Sequence, residues 1–185
     1  MEKIYLVLMH TNTIPSKLVK FFTRYKYSHV AISLNENCDT LYSFGRKKVN
    51  SIFGGGFIIQ QKDGEFFQKF NKTICKIYEL KINEEQLKKI KKLLSNMKMN
   101  ESKYSYDFIG IIPRFFGIPV VIKDKYVCSY FVADILEKAN IYNFGKKTCL
   151  IRPKDFEKIK ECNEIYSGYY KLWLKKQQYY ADMKI

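Results

Sequence analysis

Histidine is nearly absent from this sequence: His10 and His29 are the only two among 185 residues. A metal centre built on several imidazoles is thereby nearly excluded. The five cysteines (Cys38, Cys75, Cys128, Cys149, Cys162) are odd in number and never stand as C-x-x-C. That spacing argues against a zinc site and against a disulfide framework. No apolar run approaches the roughly 18 residues a membrane span needs. The opening M-E-K-I-Y-L-V-L-M-H-T lacks a small-residue cleavage site and reads as a first strand, not a signal peptide. Gly54 to Gly56 are not followed by Lys-Ser or Lys-Thr, so there is no phosphate-binding loop. Repeats, low-complexity linkers and recognised nucleic-acid motifs are missing too. These absences leave reduced thiols in a cytoplasm as the expected setting, with no cofactor and no metal.

Acidic residues are also scarce. Lys and Arg total 33 against 18 Asp and Glu, a net charge of +15. Such a charge favours anionic partners, yet the same lysine-rich composition follows from an AT-rich genome without any function. What is abundant is apolar and aromatic: 46% of residues are hydrophobic and 16% aromatic. The chain is long enough to bury a core in one domain, 1–185.

Residues 3–9 form an apolar strand, and Ser16 caps a short helix striped by Leu18, Val19, Phe21 and Phe22. Y-S-H-V-A-I-S-L alternates as a half-buried strand, with Val30 and Ile32 on one face and His29, Ala31 and Ser33 on the other. After the turn N-E-N-C-D comes T-L-Y-S-F, which completes a hairpin. F-I-I-Q-Q and T-I-C-K-I-Y-E-L-K-I are further strands. Asn83 caps a helix carrying Leu87, Ile90, Leu94 and Met97 at helical spacing. Y-S-Y-D-F-I-G-I-I-P predicts a helix halted near Pro113, and Y-V-C-S-Y-F-V-A-D-I-L a helix that begins around Cys128. Pro153 opens a short helix, and an aromatic, basic segment follows from about residue 169. Its mixture of lysines and aromatics suits either a membrane interface or a terminal helix that docks Trp173 on the core.

A cysteine at a helix N-terminus is a specific physical arrangement. The unpaired amides and the helix dipole favour a thiolate, and the same amides can hold the oxyanion of a tetrahedral intermediate. Such a thiol needs a base, and His29, between small neighbours on an open strand face, is the candidate. Each residue also has a plain structural reading: Cys128 as a small buried hydrophobe, His29 as a satisfied surface histidine.

Y-S-H-V-A-I-S-L, then L-Y-S-F-G-R, then Y-V-C-S-Y-F-V-A-D-I-L resembles the circularly permuted NlpC-like branch of the papain-fold cysteine hydrolases. That branch includes the YiiX/YycO-like proteins and is related to the lecithin:retinol acyltransferase group. The histidine strand precedes the cysteine helix in that branch, as it does here. The resemblance implies an α+β, papain-like fold (permuted NlpC-type) over most of the chain: an antiparallel β-sheet packed against helices, with the cysteine at the N-terminus of a core helix. It implies Cys128 as nucleophile and His29 as general base. The third catalytic position, commonly Glu, Gln or His, falls at Ser43 or else at Tyr42. Serine departs from that pattern: it can accept a hydrogen bond from imidazole but cannot stabilise imidazolium as a carboxylate does. Tyr126, Arg46 and His10 are candidate site-lining or substrate-binding residues.

The expected activity is amide or ester hydrolysis through an acyl-enzyme, acyl transfer remaining open, on a peptide, murein-peptide or lipid-acyl substrate. The protein would be cytoplasmic and bacterial, or peripheral at the inner membrane surface. The alternative is a non-catalytic basic module of the same fold that binds anionic lipid or nucleic acid.

Overall fold

Strand β1 (Glu2–His10) has seven consecutive buried residues, Ile4 to His10. An apolar run covered on both faces is what a central strand requires. The structure, a computed structural model, describes residues 1–11, 25–48 and 54–183. The helix expected from Ser16 and residues 49–53 of the glycine-rich loop lie outside these. Around β1 the chain builds a six-stranded sheet from β2 (His29–Ser33), β3 (Thr40–Arg46), β4 (Gly55–Gln61), β5 (Ile74–Ile82) and β8 (Cys162–Tyr169). The order is β4-β3-β2-β1-β5-β8, with every pairing antiparallel. Two short strands, β6 (Ser105–Tyr106) and β7 (Lys125–Tyr126), pair parallel beside it. The architecture is therefore α+β around an antiparallel sheet.

Side chains alternate across the sheet, so each face needs its own apolar cover. Leu6, Leu8, Val30, Ile32 and Phe44 share one core with helices α2 (Glu84–Met99) and α4 (Cys128–Lys138). Val7, Ala31, Leu41 and Ile77 share a second core with Phe67 of α1 (Glu65–Lys69) and with α5 (Tyr170–Asp182). The C-terminal helix thus takes the docked alternative. Trp173 is buried, and its indole Nε1 donates to the carbonyl of Asn37 at 2.9 Å. Tyr170 donates its hydroxyl to the carbonyl of Cys38. Both bonds tie α5 to the turn between β2 and β3.

Helix α2 starts where the sequence predicts. Asn83 accepts from the amide of Gln86 at 2.8 Å, and the Gln86 side chain accepts in return from the amide of Asn83 at 2.9 Å. This reciprocal cap satisfies two otherwise orphaned donors. Helix α3 (Phe108–Phe115) departs from expectation by running through Pro113 to Phe115. Proline removes a bond to the carbonyl four residues earlier. That residue is Ile109, which is 70% exposed, so water can satisfy the freed group. The segment after Pro153 is a 3-10 turn, Pro153–Lys158, in place of a regular helix.

Phe44 joins sheet and helices. Fully buried, it lies 5.2 Å from the ring of Phe131 on α4, 5.0 Å from Tyr126 and 5.9 Å from Phe57. Truncation there leaves a cavity among rings that cannot collapse into it. Phe44→Ala is expected to lower the unfolding free energy by about 3–5 kcal/mol, read from the urea midpoint. A loss below about 1 kcal/mol would show that this aromatic junction does not hold α4 on the sheet.

Candidate active site

Cys128 is the first residue of α4, and Val127 provides no side-chain cap. The opening amides of the helix are therefore available to other partners. The N–H groups of Val30, Ser129 and Cys128 itself are directed at the sulfur. Burial acts in the opposite direction and is the larger effect, so the Cys128 thiol is pushed up from its ordinary value. The expected lowering at the helix N-terminus is thus corrected: water is removed from the sulfur faster than the amides can compensate for it. In the resting protein the group is a neutral thiol.

The sulfur lies beside a small cleft of about 120 Å³. Ser28 of the chain before β2, Tyr106 of β6, Ile111 and Arg114 of α3 and Cys149 share its lining with Cys128. Ser129, next to the cysteine, donates to the carbonyl of Ile151 at 2.6 Å and so pins the far wall to α4. Arg114 is nearly fully buried. Its Nη2 meets Asp107 Oδ2 at 2.5 Å, its Nε donates to the carbonyl of Val120 at 2.8 Å, and its guanidinium lies over the ring of Tyr130. The remaining Nη1 is buried with no hydrogen-bond partner among the described residues.

His29 opens β2, and alternation puts it on the face of Ala31, not that of Val30. Its ring leans towards β3. A Cβ added at Gly45 would come within 3.7 Å of His29 Cε1 and 2.8 Å of Ile58 Cδ1. Ile58 therefore fills the space that the missing side chain of Gly45 leaves, and the imidazole lies in ordinary contact beside it. Cys128 packs on the Val30 side of the sheet, so thiol and imidazole lie on opposite faces of β2. No hydrogen bond joins them among the described residues. Burial also pushes the His29 imidazole down to about 4, so it is neutral as well. The residue retains some accessible surface, but the atoms packed around its ring remove most of its water.

Ser43 is fully buried and donates its hydroxyl to the carbonyl of Val30 at 2.7 Å. Its proton is committed to the main chain of β2. The one ladder pair between β2 and β3 in the described chain is Ile32 with Tyr42, so this side-chain bond replaces a sheet bond. Tyr42 itself packs towards the α4 side of the sheet. His10 ends β1 with its Nδ1 3.4 Å from Ser28 Oγ, which brings it to the edge of the Cys128 cleft. Tyr126 does not line that cleft; its hydroxyl donates to Asp134 of α4 at 3.3 Å. Arg46 lies elsewhere as well, over the ring of Phe70 and in a separate depression with Lys47, Glu65 and Glu101.

Sequence reading passed over Tyr106 and Arg114. The signal for Arg114 was present: a single arginine inside an otherwise apolar helix, seven residues after an aspartate. Among the described residues no group of three or more His, Cys, Asp or Glu could hold a metal, and no helix is long and apolar enough to cross a membrane. No known family model, curated protein or solved structure matches this chain.

The imidazole makes a pH prediction. Unfolded, His29 takes a proton near pH 6.5; folded, it resists until about 4. Below pH 6.5 unfolding therefore binds a proton, and stability falls as pH drops through that window, with no effect above it. Between pH 7 and 5 the wild type is expected to lose about 2 kcal/mol more than His29→Asn. Parallel losses in urea titrations at the two pH values would show that the ring is not shielded from water.

Proposed function

We propose that the protein is a cysteine hydrolase of the permuted papain-like type, acting on a peptide or acyl-lipid substrate through an acyl-enzyme. The observation that carries this reading is the sulfur of Cys128 at the start of α4, with three main-chain amides directed at it beside a cleft. Both partners rest neutral, so the reaction starts with proton transfer and needs no preformed ion pair. As the sulfur attacks the acyl carbonyl a C–S bond forms and the thiol proton passes to the His29 imidazole, which has to turn from the Ala31 face of β2 to the Cys128 side to take it. The carbonyl oxygen becomes an oxyanion, for which the amides of Cys128 and Ser129 are donors. Collapse expels the amine or alcohol, which leaves with the proton from the imidazolium. Water then attacks the thioester, the imidazole takes its proton, and the returning thiolate receives it as the acid departs. Low basicity of His29 and the engagement of Ser43 by Val30 make this chemistry slow.

One observation favours the second reading, a binding module without catalysis. The hydroxyl expected to hold the imidazole donates to a carbonyl instead. A single experiment separates the two. Incubation with p-nitrophenyl acyl esters is expected to release a burst of nitrophenol and leave an acyl mass on the peptide containing Cys128. Cys128→Ala abolishes both signals. His29→Ala slows acylation by about 10²–10⁴-fold. Absence of any acyl adduct on Cys128, across short and long acyl chains, would leave the binding module.

A further inference from the structure

Helix α3 is inside out. Its single charged residue, Arg114, is 6% exposed and paired with the fully buried Asp107, whose Oδ1 also accepts the amide of Gly110 at 2.8 Å. A Cβ at Gly110 would lie 2.8 Å from Arg114 Cζ, so the glycine makes room for this inward-facing pair. The opposite side carries bulky apolar residues into solvent: Phe108 is 49% exposed, Ile109 70% and Ile112 67%. The connection beyond the helix continues the patch, with Phe116 at 74%, Ile118 at 55% and Val121 at 61%. A water-facing helix normally shows the reverse pattern. A contiguous apolar face of this kind marks a surface with a partner.

Charge selects the partner. From Phe108 to Lys123 there is no aspartate or glutamate. Cations rim the patch: Arg152 donates to the carbonyl of Phe115 at 2.9 Å and lies over its ring. Lys147 and Lys146, the latter paired with Asp155 at 2.9 Å, border a shallow depression that Val121 and Glu137 share. Lys123 is exposed at the end of the segment. Two copies of a +15 chain would bring these cations face to face, which opposes self-association through the patch. An apolar face with a basic rim suits the boundary between headgroups and acyl chains of an anionic bilayer.

We propose that the outward face of α3, with residues 116–121, docks on anionic membrane surfaces. The helix lies in the interface plane, with Ile109, Ile112 and Phe116 inserted and Lys123, Lys147 and Arg152 among the headgroups. Ile111 and Phe115 of the same helix also line the Cys128 cleft, so docking sets the mouth of that cleft against the bilayer. The docking does not depend on thioester chemistry.

The test is flotation of the full chain with vesicles of phosphatidylcholine alone or with about a third phosphatidylglycerol. Expected is partitioning onto the anionic vesicles, weakened by salt and slight on the neutral ones. Ile109→Glu with Ile112→Glu lowers it roughly tenfold or more. Both positions face solvent, so the thermal midpoint stays within a few degrees of wild type. Lys123→Glu with Lys147→Glu gives an intermediate loss. Phe116→Trp brings a blue-shifted emission on anionic vesicles alone. Cys128→Ser binds as wild type, which keeps this outcome separate from that of the hydrolase reading. No partitioning onto either vesicle overturns the proposal, as does partitioning that the Ile109/Ile112 variant leaves unchanged. A dimer in size-exclusion chromatography that the same variant dissolves assigns the face to a second copy and overturns it too.

Discussion

The main chain of Val30 is the point on which the candidate site depends. Its side chain enters the core beneath α4, its carbonyl takes the Ser43 hydroxyl and its amide is directed at the Cys128 sulfur. A strand in mid-sheet normally gives its N–H and C=O to a neighbouring strand. Here β3 meets Val30 through a side chain, and the amide is left for the thiol. The helix start, the strand and the glycine opposite His29 are thereby held in one arrangement. Loss of apolar packing at Phe44 or Phe131 would shift all three together.

The same site shows why burial and chemistry pull in opposite directions. Three amides favour a thiolate, yet enclosure by α4 and the strands outweighs them, and His29 is driven towards neutrality for the same reason. A neutral pair is compatible with a nucleophile activated only when substrate arrives. The buried Asp107–Arg114 pair follows related logic. Taking it apart would strand a charge in the core, so it holds α3 with its polar side inward and turns the apolar side out.

Much of the secondary structure was legible because it rests on local rules. The alternation from Ser28 to Leu34, the cap at Asn83 and the helix start at Cys128 all depend on neighbours within a few residues. Pro113 misled for the opposite reason: the local cost of proline was offset by exposure of the freed carbonyl, which depends on which way α3 faces. Ser43 illustrates the limit more sharply. Its place on the strand after the histidine was legible, but the choice between imidazole and carbonyl as its partner depends on how far β2 and β3 separate.

By itself the sequence determined the alternation of the strands and the start of the cysteine helix, since these follow from residue type and spacing. Only the tertiary structure decided that the thiol rests neutral, that His29 leans over Gly45, and that α3 presents its apolar side to solvent. Each of those outcomes depends on what lies across a gap between elements distant in the chain. Desolvation, facing direction and hydrogen-bond choice are properties of that gap, and no local pattern contains them.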